Sequence, residues 1–376
     1  MLTIPASVKA ITGYVNVTQS DRNPDGSYTP TSTKNHGAFE DMTSLTNVTF
    51  ASNNITRIGA QAFKGCSNLA TINLPSSVSY VGNSAFNGCS SLNDINLENV
   101  SYIGDSAFQN AFTNVPTSSV TIQADKASYV GSNAFNGTTG LKTVDFSKNT
   151  VLQTVAGSAF MNSGVTSLDL SKATKLITIQ PAAFQGCASL STITLPSSLT
   201  SIGVRAFEGS GLTSLDLSST QVTTISQGAF ANTASLTTLK VPSSLTTLNS
   251  GSSTDTNNMQ ATFYQSGITE LDLSQTKITT IAESTFNGAT KLASVTLPTG
   301  LTSIGTNAFY GTTVLKTLTQ EGVTSAKADE ATTTNKLSGS ITRIDGAAFR
   351  QTGLVGIDLS LTKVTGENGT LGNNVF

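Results

Sequence analysis

The sequence predicts a repeat solenoid that is mainly β, built from about thirteen coils of about 23 residues. Three observations predict this fold class. Phenylalanine recurs in one local context along the whole chain, an apolar alternation of period two precedes it, and small residues dominate the composition. Because a coil of this length cannot enclose its own apolar side chains, neighbouring coils must stack and share them.

The phenylalanine repeat sets the period of the coils. Successive positions are most often 22 to 24 residues apart, and insertions lengthen the other intervals. Ala usually precedes the phenylalanine, and an apolar residue followed by Gly often lies shortly before it. We expect these side chains to form one internal spine. The positions are Phe39, Phe63, Phe86, Phe108, Phe135, Phe160, Phe184, Phe207, Phe230, Phe263, Phe286, Phe309, Phe349 and Phe376.

Each unit is predicted to contain two short strands and a tight corner. The unit that begins at Leu69 runs L-A-T-I-N-L-P-S-S-V-S-Y-V-G-N-S-A-F-N-G-C, and the segment from Leu190 repeats it. The I-x-L alternation predicts a first strand that ends at Pro75, and the later V-x-x-V predicts a second extended stretch. The A-F corner is too short for a lasting helix. We therefore expect one helical turn there, stopped by Gly88 or its equivalents.

The composition excludes several classes of function. The chain has 376 residues, of which 60 are Thr and 49 are Ser, and only 11% are charged. The formal net charge is −2, so the chain lacks the excess of basic residues that binding to nucleic acid or to an anionic membrane needs. No apolar run approaches the ~18 residues of a membrane span, so we expect no membrane insertion by this segment.

These motifs resemble the BspA-like class of leucine-rich repeat. The pattern L-x-x-I-x-L-P-S-S-L-x-x-I-G-x-x-A-F-x-G covers nearly the whole chain, with the A-F corner and the Pro after the strand both present. The resemblance implies a leucine-rich repeat horseshoe with a parallel sheet on its concave face. It also implies an extracellular or cell-surface location and an adhesive or recognition role, as in surface proteins of anaerobic bacteria, oral spirochaetes and some protozoan parasites.

The chain is predicted to form a single solenoid domain over 1–376. It opens inside a unit, with L-T-I-P-A-S-V-K-A-I matching the strand and the return, and it stops at Phe376 on the A-F corner, so we expect a fragment of a longer array. Three insertions, near 12–35, 249–259 and 319–338, are rich in small polar residues and are predicted to be loops on the return path. They are either binding loops or mobile surface segments without a binding role.

Catalysis and metal binding have little basis in this sequence. The single histidine, His36, lies in an inserted loop with no neighbouring nucleophile, so we expect no enzyme activity, no metal and no cofactor. Cys66 and Cys89 share one register in neighbouring coils rather than forming a C-x-x-C pair. Their spacing allows a disulfide between stacked coils, and buried free thiols are the alternative.

One candidate binding surface is a column of aspartates on the first strand. Asp145, Asp169 and Asp216 occupy its outward position, and the first two belong to consecutive coils. Neighbouring carboxylates on a sheet are able to bind a cation or to support acid–base chemistry. The alternative is a solvated polar face on which each Asp bonds to nearby backbone or to Ser hydroxyls.

A second candidate is an aromatic column on the second strand. Arg57, Tyr80, Tyr102 and Tyr129 precede the same apolar position in four consecutive coils, so their side chains are predicted to form an exposed row. Tyr and Arg are enriched in binding hot spots, and rows of rings suit sugars or extended peptides. Aromatic neighbours on one face also stabilise a sheet without any ligand, which is the structural alternative.

The leading interpretation is a non-enzymatic adhesin whose solenoid binds a protein or glycan of a host or a neighbouring cell. The alternative is a structural spacer or a carbohydrate-binding module appended to another domain, such as a hydrolase. The concave sheet is favoured slightly over the tyrosine row, because the row has a sufficient structural explanation. Function rests here on the resemblance, whereas the periodicity predicts only the fold.

Overall fold

The computed structural model describes residues 1–11, 37–115, 120–249, 261–320, 322–323, 335–364 and 369–376. His36 and most of the three predicted insertions lie outside these ranges. The chain divides into two compact units, Met1–Leu176 and Ile177–Phe376. Both units are parallel β-solenoids, as the repeat predicts. A typical coil contributes a first strand, a second strand and a corner that contains the phenylalanine.

The first strands are short and carry the I-x-L motif or its equivalents. They are β1 (Leu2–Ile4), β3 (Asn47–Phe50), β5 (Thr71–Ile72), β7 (Asp94–Ile95), β9 (Val120–Gln123), β11 (Leu141–Asp145), β13 (Ser167–Asp169), β15 (Thr192–Thr194), β17 (Ser214–Asp216), β19 (Thr238–Lys240), β21 (Glu270–Asp272), β23 (Ser294–Leu297), β25 (Thr317–Gln320), β26 (Asn335–Lys336) and β28 (Ile357–Asp358).

The second strands are each two residues long and precede the corners. They are β2 (Ala10–Ile11), β4 (Arg57–Ile58), β6 (Tyr80–Val81), β8 (Tyr102–Ile103), β10 (Tyr129–Val130), β12 (Thr154–Val155), β14 (Thr178–Ile179), β16 (Ser201–Ile202), β18 (Thr224–Ile225), β20 (Thr247–Leu248), β22 (Thr280–Ile281), β24 (Ser303–Ile304), β27 (Arg343–Ile344) and β29 (Thr370–Leu371).

The strands of each type pair in parallel from coil to coil. In the first unit the first strands pair as β1-β3-β5-β7 and β9-β11-β13, and the second strands form one sheet, β2-β4-β6-β8-β10-β12. In the second unit the first strands pair as β17-β19, β21-β23-β25 and β26-β28. The second strands of that unit pair as β14-β16-β18-β20 and β22-β24-β27-β29.

Apolar alternation places one side of each first strand in the core. Ile72 and Leu74 are 1% and 3% exposed, whereas Asn73 between them is exposed. The Pro carbonyl that follows the strand accepts a hydrogen bond from the residue three positions later, as in Val78 N–H to Pro75 O at 2.9 Å. This turn ends the extended segment and sends the chain towards the second strand, as the sequence predicts.

Within each unit the phenylalanines form an internal spine. Phe63, Phe86 and Phe108 are fully buried, and their rings stack at centroid distances of 5.4 and 5.2 Å within 8° of parallel. The same stacking recurs in the second unit, for example between Phe207 and Phe230 at 5.8 Å. Each coil therefore shares its largest apolar side chain with both neighbours, which makes the coils interdependent.

The A-F corner is not the helical turn that the sequence predicts. Among the described residues there is no helix, because alternate N–H groups of the corner bond to the next coil. Ser84 N–H reaches Asp105 O, and Phe86 N–H reaches Ala107 O, at 2.8 and 2.7 Å. Ser84 has a φ of 54°, which is left-handed and incompatible with a right-handed helix. The corner is therefore a third column of hydrogen bonds between coils.

The last predicted insertion is not entirely a loop. Its final residues contribute β26, and Leu337 is fully buried. The Asn335 side chain joins this strand to its neighbours, because its Oδ1 accepts from Leu318 N–H at 2.8 Å and its Nδ2 donates to Gly356 O at 3.1 Å. The predicted insertion 319–338 therefore ends in a further first strand, β26. The polar composition of this segment does not indicate a strand.

Candidate functional site

The second strands of the first unit bring four side chains into one row. Arg57 pairs with Tyr80, Tyr80 with Tyr102, and Tyr102 with Tyr129 across neighbouring strands. The Tyr80 and Tyr102 ring centroids are 4.8 Å apart, those of Tyr102 and Tyr129 are 4.9 Å apart, and each pair is within 8° of parallel. The Arg57 guanidinium carbon lies 4.5 Å from the Tyr80 ring centroid. We call the three rings the tyrosine stack.

The tyrosine stack is less exposed than the sequence predicts. Tyr80 is only 8% exposed, and Tyr102 and Tyr129 are half-buried. Positions i and i+2 of a strand share a face, and glycines occupy the i+2 positions beside these rings. A Cβ atom on Gly104 would lie 2.7 Å from the backbone N of Asn83. The glycines therefore leave bare backbone beside the rings, which lets the rings lie close to the sheet.

The stack presents ring edges rather than ring faces. Both faces of Tyr102 are covered by its neighbours, and the outer face of Tyr80 is covered by Arg57. On the next strand, Thr154 pairs with Tyr129, and its side chain is β-branched rather than aromatic. A sugar ring that stacks on an aromatic side chain needs an open face, so the stack offers little to a glycan. Its edges and hydroxyl groups are the parts that another molecule can reach.

A carboxylate secures the last ring of the stack. Asp105 Oδ1 accepts a hydrogen bond from Ser132 N–H at 2.8 Å and another from the Tyr129 hydroxyl at 3.4 Å. Burial, together with the nearby charge of Asp105 and the hydrogen bond to it, raises the pKa of Tyr129 above its ordinary value. Tyr129 therefore stays protonated, and its hydroxyl donates across the boundary between two coils.

The predicted aspartate column has a structural partner at each position. Asp145, Asp169 and Asp216 each accept, through Oδ1, the backbone N–H of the Ser two residues later, at 2.8, 2.9 and 2.9 Å. Asp272 and Asp358 do the same at 2.8 Å. Such bonds hold the turn that follows the strand. They agree with the structural alternative, in which each carboxylate accepts hydrogen bonds from nearby backbone or Ser hydroxyl groups.

Hydrogen bonds from serine lower the pKa of Asp145, Asp216 and Asp358. The hydroxyl and backbone N–H of Ser147 hold the pKa of Asp145 below its ordinary value, and those of Ser218 do the same for Asp216. Asp145 and Asp169 lie on neighbouring strands, two residues beyond the paired Thr143 and Ser167. The Gln123 side chain adds a further hydrogen bond to Asp145.

Four first strands of the second unit expose both side chains that flank their buried central residue. We call this surface the polar strip. Within it, Lys240 Nζ lies 3.1 Å from Asp216 Oδ2 across the β17–β19 pair. The repeat pattern does not single out Lys240, although this residue occupies the position of Asp216 one coil later. The polar strip comprises Thr192, Thr194, Ser214, Asp216, Thr238, Lys240, Glu270 and Asp272.

The cysteines are packing residues in this structure. Cys66 and Cys89 are fully buried and not disulfide-bonded, and their thiols donate to Phe39 O and Phe63 O at 3.0 and 3.1 Å. Burial raises the pKa of Cys66 to about 11 and that of Cys89 still further. Within the described ranges no three His, Cys, Asp or Glu side chains gather as metal ligands. Those ranges also contain no helix long and apolar enough to cross a bilayer.

Known proteins share both the repeat and the fold. A family model for the BspA type leucine rich repeat region (6 copies) matches residues 30–111, 109–177, 153–261 and 256–376. A solved leucine-rich repeat protein from Bacteroides ovatus is 22% identical, with a TM-score of 0.67, over 98% of this chain and 84% of that chain. A leucine rich cell surface protein from Faecalibacterium prausnitzii is 21% identical, with a TM-score of 0.46, over 98% and 88%. No curated protein matches the chain.

Proposed function

Because the chain belongs to the family of BspA-type leucine-rich repeat proteins, we propose that it is a non-enzymatic recognition protein of the extracellular space or cell surface. Its partner is a protein of a host or a neighbouring cell, and the binding surface is the polar strip. Family membership supports an interaction or adhesion role. The choice of surface rests on the geometry of the first strands.

The observation that carries this proposal is the exposure of the polar strip. On β15, β17, β19 and β21 the central residue is buried, whereas both neighbours face solvent. The strip therefore offers two parallel columns of hydroxyl and charged groups over four successive coils. Charges of opposite sign alternate along one column, from Asp216 to Lys240 to Asp272. Such a pattern favours a partner with complementary charges.

The charged pair in the strip contributes little to folding. The side chains of Asp216 and Lys240 are 53% and 64% exposed, and exposed ion pairs stabilise a protein by roughly 0–1 kcal/mol. Lys240 and Asp216 Oδ2 can therefore turn to a partner without a large loss of stability, while Asp216 Oδ1 keeps its bond to Ser218 N–H. Hydrogen bonds between coils also hold the strip in place before binding, which lowers the entropy lost on association.

A carbohydrate-binding role draws less support from the geometry. The faces of the tyrosine stack are covered by its own members and by Arg57. The exposed groups of the polar strip are hydroxyls, carboxylates and an ammonium, with no aromatic ring among them. We therefore place a protein partner ahead of a glycan partner.

The proposal is tested by binding to a panel of immobilised extracellular proteins and to a printed glycan array. The variant Thr192→Arg, Thr194→Arg, Thr238→Arg adds bulk and charge to the polar strip at exposed side chains. A matched control places the same three changes at exposed threonines outside it, as Thr174→Arg, Thr290→Arg and Thr313→Arg. We expect saturable binding to a protein that the first variant loses and the control keeps. Binding to glycans only, binding to nothing, or equal loss in both variants would contradict the proposal.

A further inference from the structure

A groove of about 390 Å³ crosses three coils of the second unit. It lies over β22, β24 and β27, and its volume is within the range of small-ligand pockets. The floor includes Gly305, on which a Cβ atom would lie 2.7 Å from the backbone N of Glu283. Thr280 and Ser303 line one side, and their hydroxyl oxygens are 2.9 Å apart. Small side chains thus leave the groove open.

In the first unit the equivalent groove is occupied by tyrosine rings. Tyr102 and Tyr129 lie six residues before their phenylalanines, as Thr280 and Ser303 do in the second unit. Asp105, which accepts the Tyr129 hydroxyl, lies three residues before its phenylalanine, as Glu283 does. The first unit therefore shows how a phenol ring fits this position of the fold and where its hydroxyl bonds.

The second unit has a carboxylate in the position of Asp105 and a cation beside the groove, but no ring between them. Glu283 Oε1 is buried and has no hydrogen-bond partner among the described residues. A buried carboxylate oxygen without a donor costs free energy, which a bound hydroxyl would relieve. Arg343 borders the groove in the next coil, with its Nε 2.6 Å from Asp345 Oδ1. Its side chain is 61% exposed, so a guanidinium face is open to a ring, as Arg57 meets Tyr80.

We propose that this groove binds a tyrosine side chain of a partner polypeptide, with the ring beside Ser303 and Arg343 and the hydroxyl donating to Glu283 Oε1. The chemical class of the ligand is a phenol, because the groove offers an acceptor for a hydroxyl and a planar cation for a ring. The site lies on the second strands and is separate from the polar strip. Either site can therefore fail its test without affecting the other.

The first test is a nuclear magnetic resonance titration of the whole chain with N-acetyl-L-tyrosinamide. We expect chemical-shift changes confined to the amides of the groove, including those of Glu283, Ser303 and Gly305. N-acetyl-L-phenylalaninamide, which lacks the hydroxyl, should bind at least threefold more weakly. Changes scattered over the surface, no changes at the solubility limit, or equal affinity for the two probes would overturn the proposal.

Two substitutions separate the roles of the groove residues. Glu283→Ala removes the acceptor and should abolish the preference for the tyrosine probe over the phenylalanine probe. The matched control Glu98→Ala removes an exposed glutamate carboxylate outside both the groove and the polar strip, and should leave both affinities unchanged. A Glu283→Ala variant that still prefers the tyrosine probe would show that the carboxylate does not recognise the hydroxyl.

A third substitution places the ring in the groove covalently. Ser303→Tyr should raise the melting temperature and prevent binding of the tyrosine probe, because its own ring takes the site. Ser201→Tyr is the control, since Ser201 is also 2.9 Å from a Thr hydroxyl, that of Thr178, but Pro181 stands where Glu283 would be. If Ser303→Tyr lowers the melting temperature as much as the control does, the groove does not accept a phenol ring.

Discussion

The Tyr129 hydroxyl donates a hydrogen bond to Asp105 Oδ1, which belongs to the preceding coil and lies 3.4 Å away. The same oxygen accepts Ser132 N–H at 2.8 Å. One carboxylate thus joins a ring, a backbone amide and two coils. This arrangement gives the tyrosine stack a role in stability that is independent of any ligand.

Tyr129→Phe should make stability less sensitive to alkaline pH. The folded state raises the pKa of Tyr129, so its contribution to stability is complete below the ordinary pKa of 10 and declines as pH rises through the raised value. The phenyl ring keeps its stacking and loses the hydroxyl, at a cost of about 1 kcal/mol near neutral pH. Melting temperatures from pH 8 to strongly alkaline pH measure the difference. Parallel curves for the wild type and the variant would contradict this account.

Asp216→Asn and Asp216→Ala should differ in stability, because only Asn keeps an oxygen for Ser218 N–H. The folded state lowers the pKa of Asp216 below 3.8, so its ionised form contributes stability above that pH and the contribution is lost as pH falls. We expect the free energy of unfolding of the Asn variant to change less with pH at acid pH than that of the wild type. Ala should cost about 1 kcal/mol at neutral pH. Chemical denaturation at pH 7 and at acid pH compares the three proteins, and equal losses for Asn and Ala would show that the turn does not need this bond.

Phe86→Ala should be strongly and locally destabilising. The ring is fully buried between Phe63 and Phe108. Its removal leaves a cavity and should lower the free energy of unfolding by roughly 3–5 kcal/mol. Because each coil contacts mainly its neighbours, amide hydrogen exchange should accelerate most in the adjacent coils. Phe376→Ala is the control, since Phe376 is 63% exposed and should cost much less. Uniform acceleration along the chain would show that the solenoid unfolds as one unit.

Cys66 and Cys89 should resist alkylation in the folded protein. Both are fully buried, and the pKa of Cys66 is raised to about 11, so little thiolate forms near pH 8. Mass spectrometry after treatment with iodoacetamide should find both unmodified in native protein and both modified after denaturation. Rapid modification of either residue in native protein would show that the corner opens or that the thiol is activated.

The sequence predicts the coil, the spine and the tyrosine row because these depend on local period. It does not predict the corner, since the left-handed backbone of Ser84 is imposed by hydrogen bonds to the next coil. The pairing of Lys240 with Asp216 depends on the register between strands. The groove beside Ser303 is not predicted from the sequence for a related reason. It is a space between neighbouring coils, and the small residues that line it form no recognisable motif.

Two triple variants distinguish recognition by the polar strip from recognition by the tyrosine stack, through their affinity for the protein captured in the binding panel. Asp216→Asn, Lys240→Gln, Asp272→Asn removes the charges of the polar strip while the Asn oxygens still serve their turns. Tyr80→Phe, Tyr102→Phe, Tyr129→Phe keeps the stacked rings and removes their hydroxyls. We predict at least tenfold weaker binding by the first variant, about 1.4 kcal/mol, and unchanged binding by the second. Full binding by the first variant, with or without loss in the second, would contradict recognition by the polar strip.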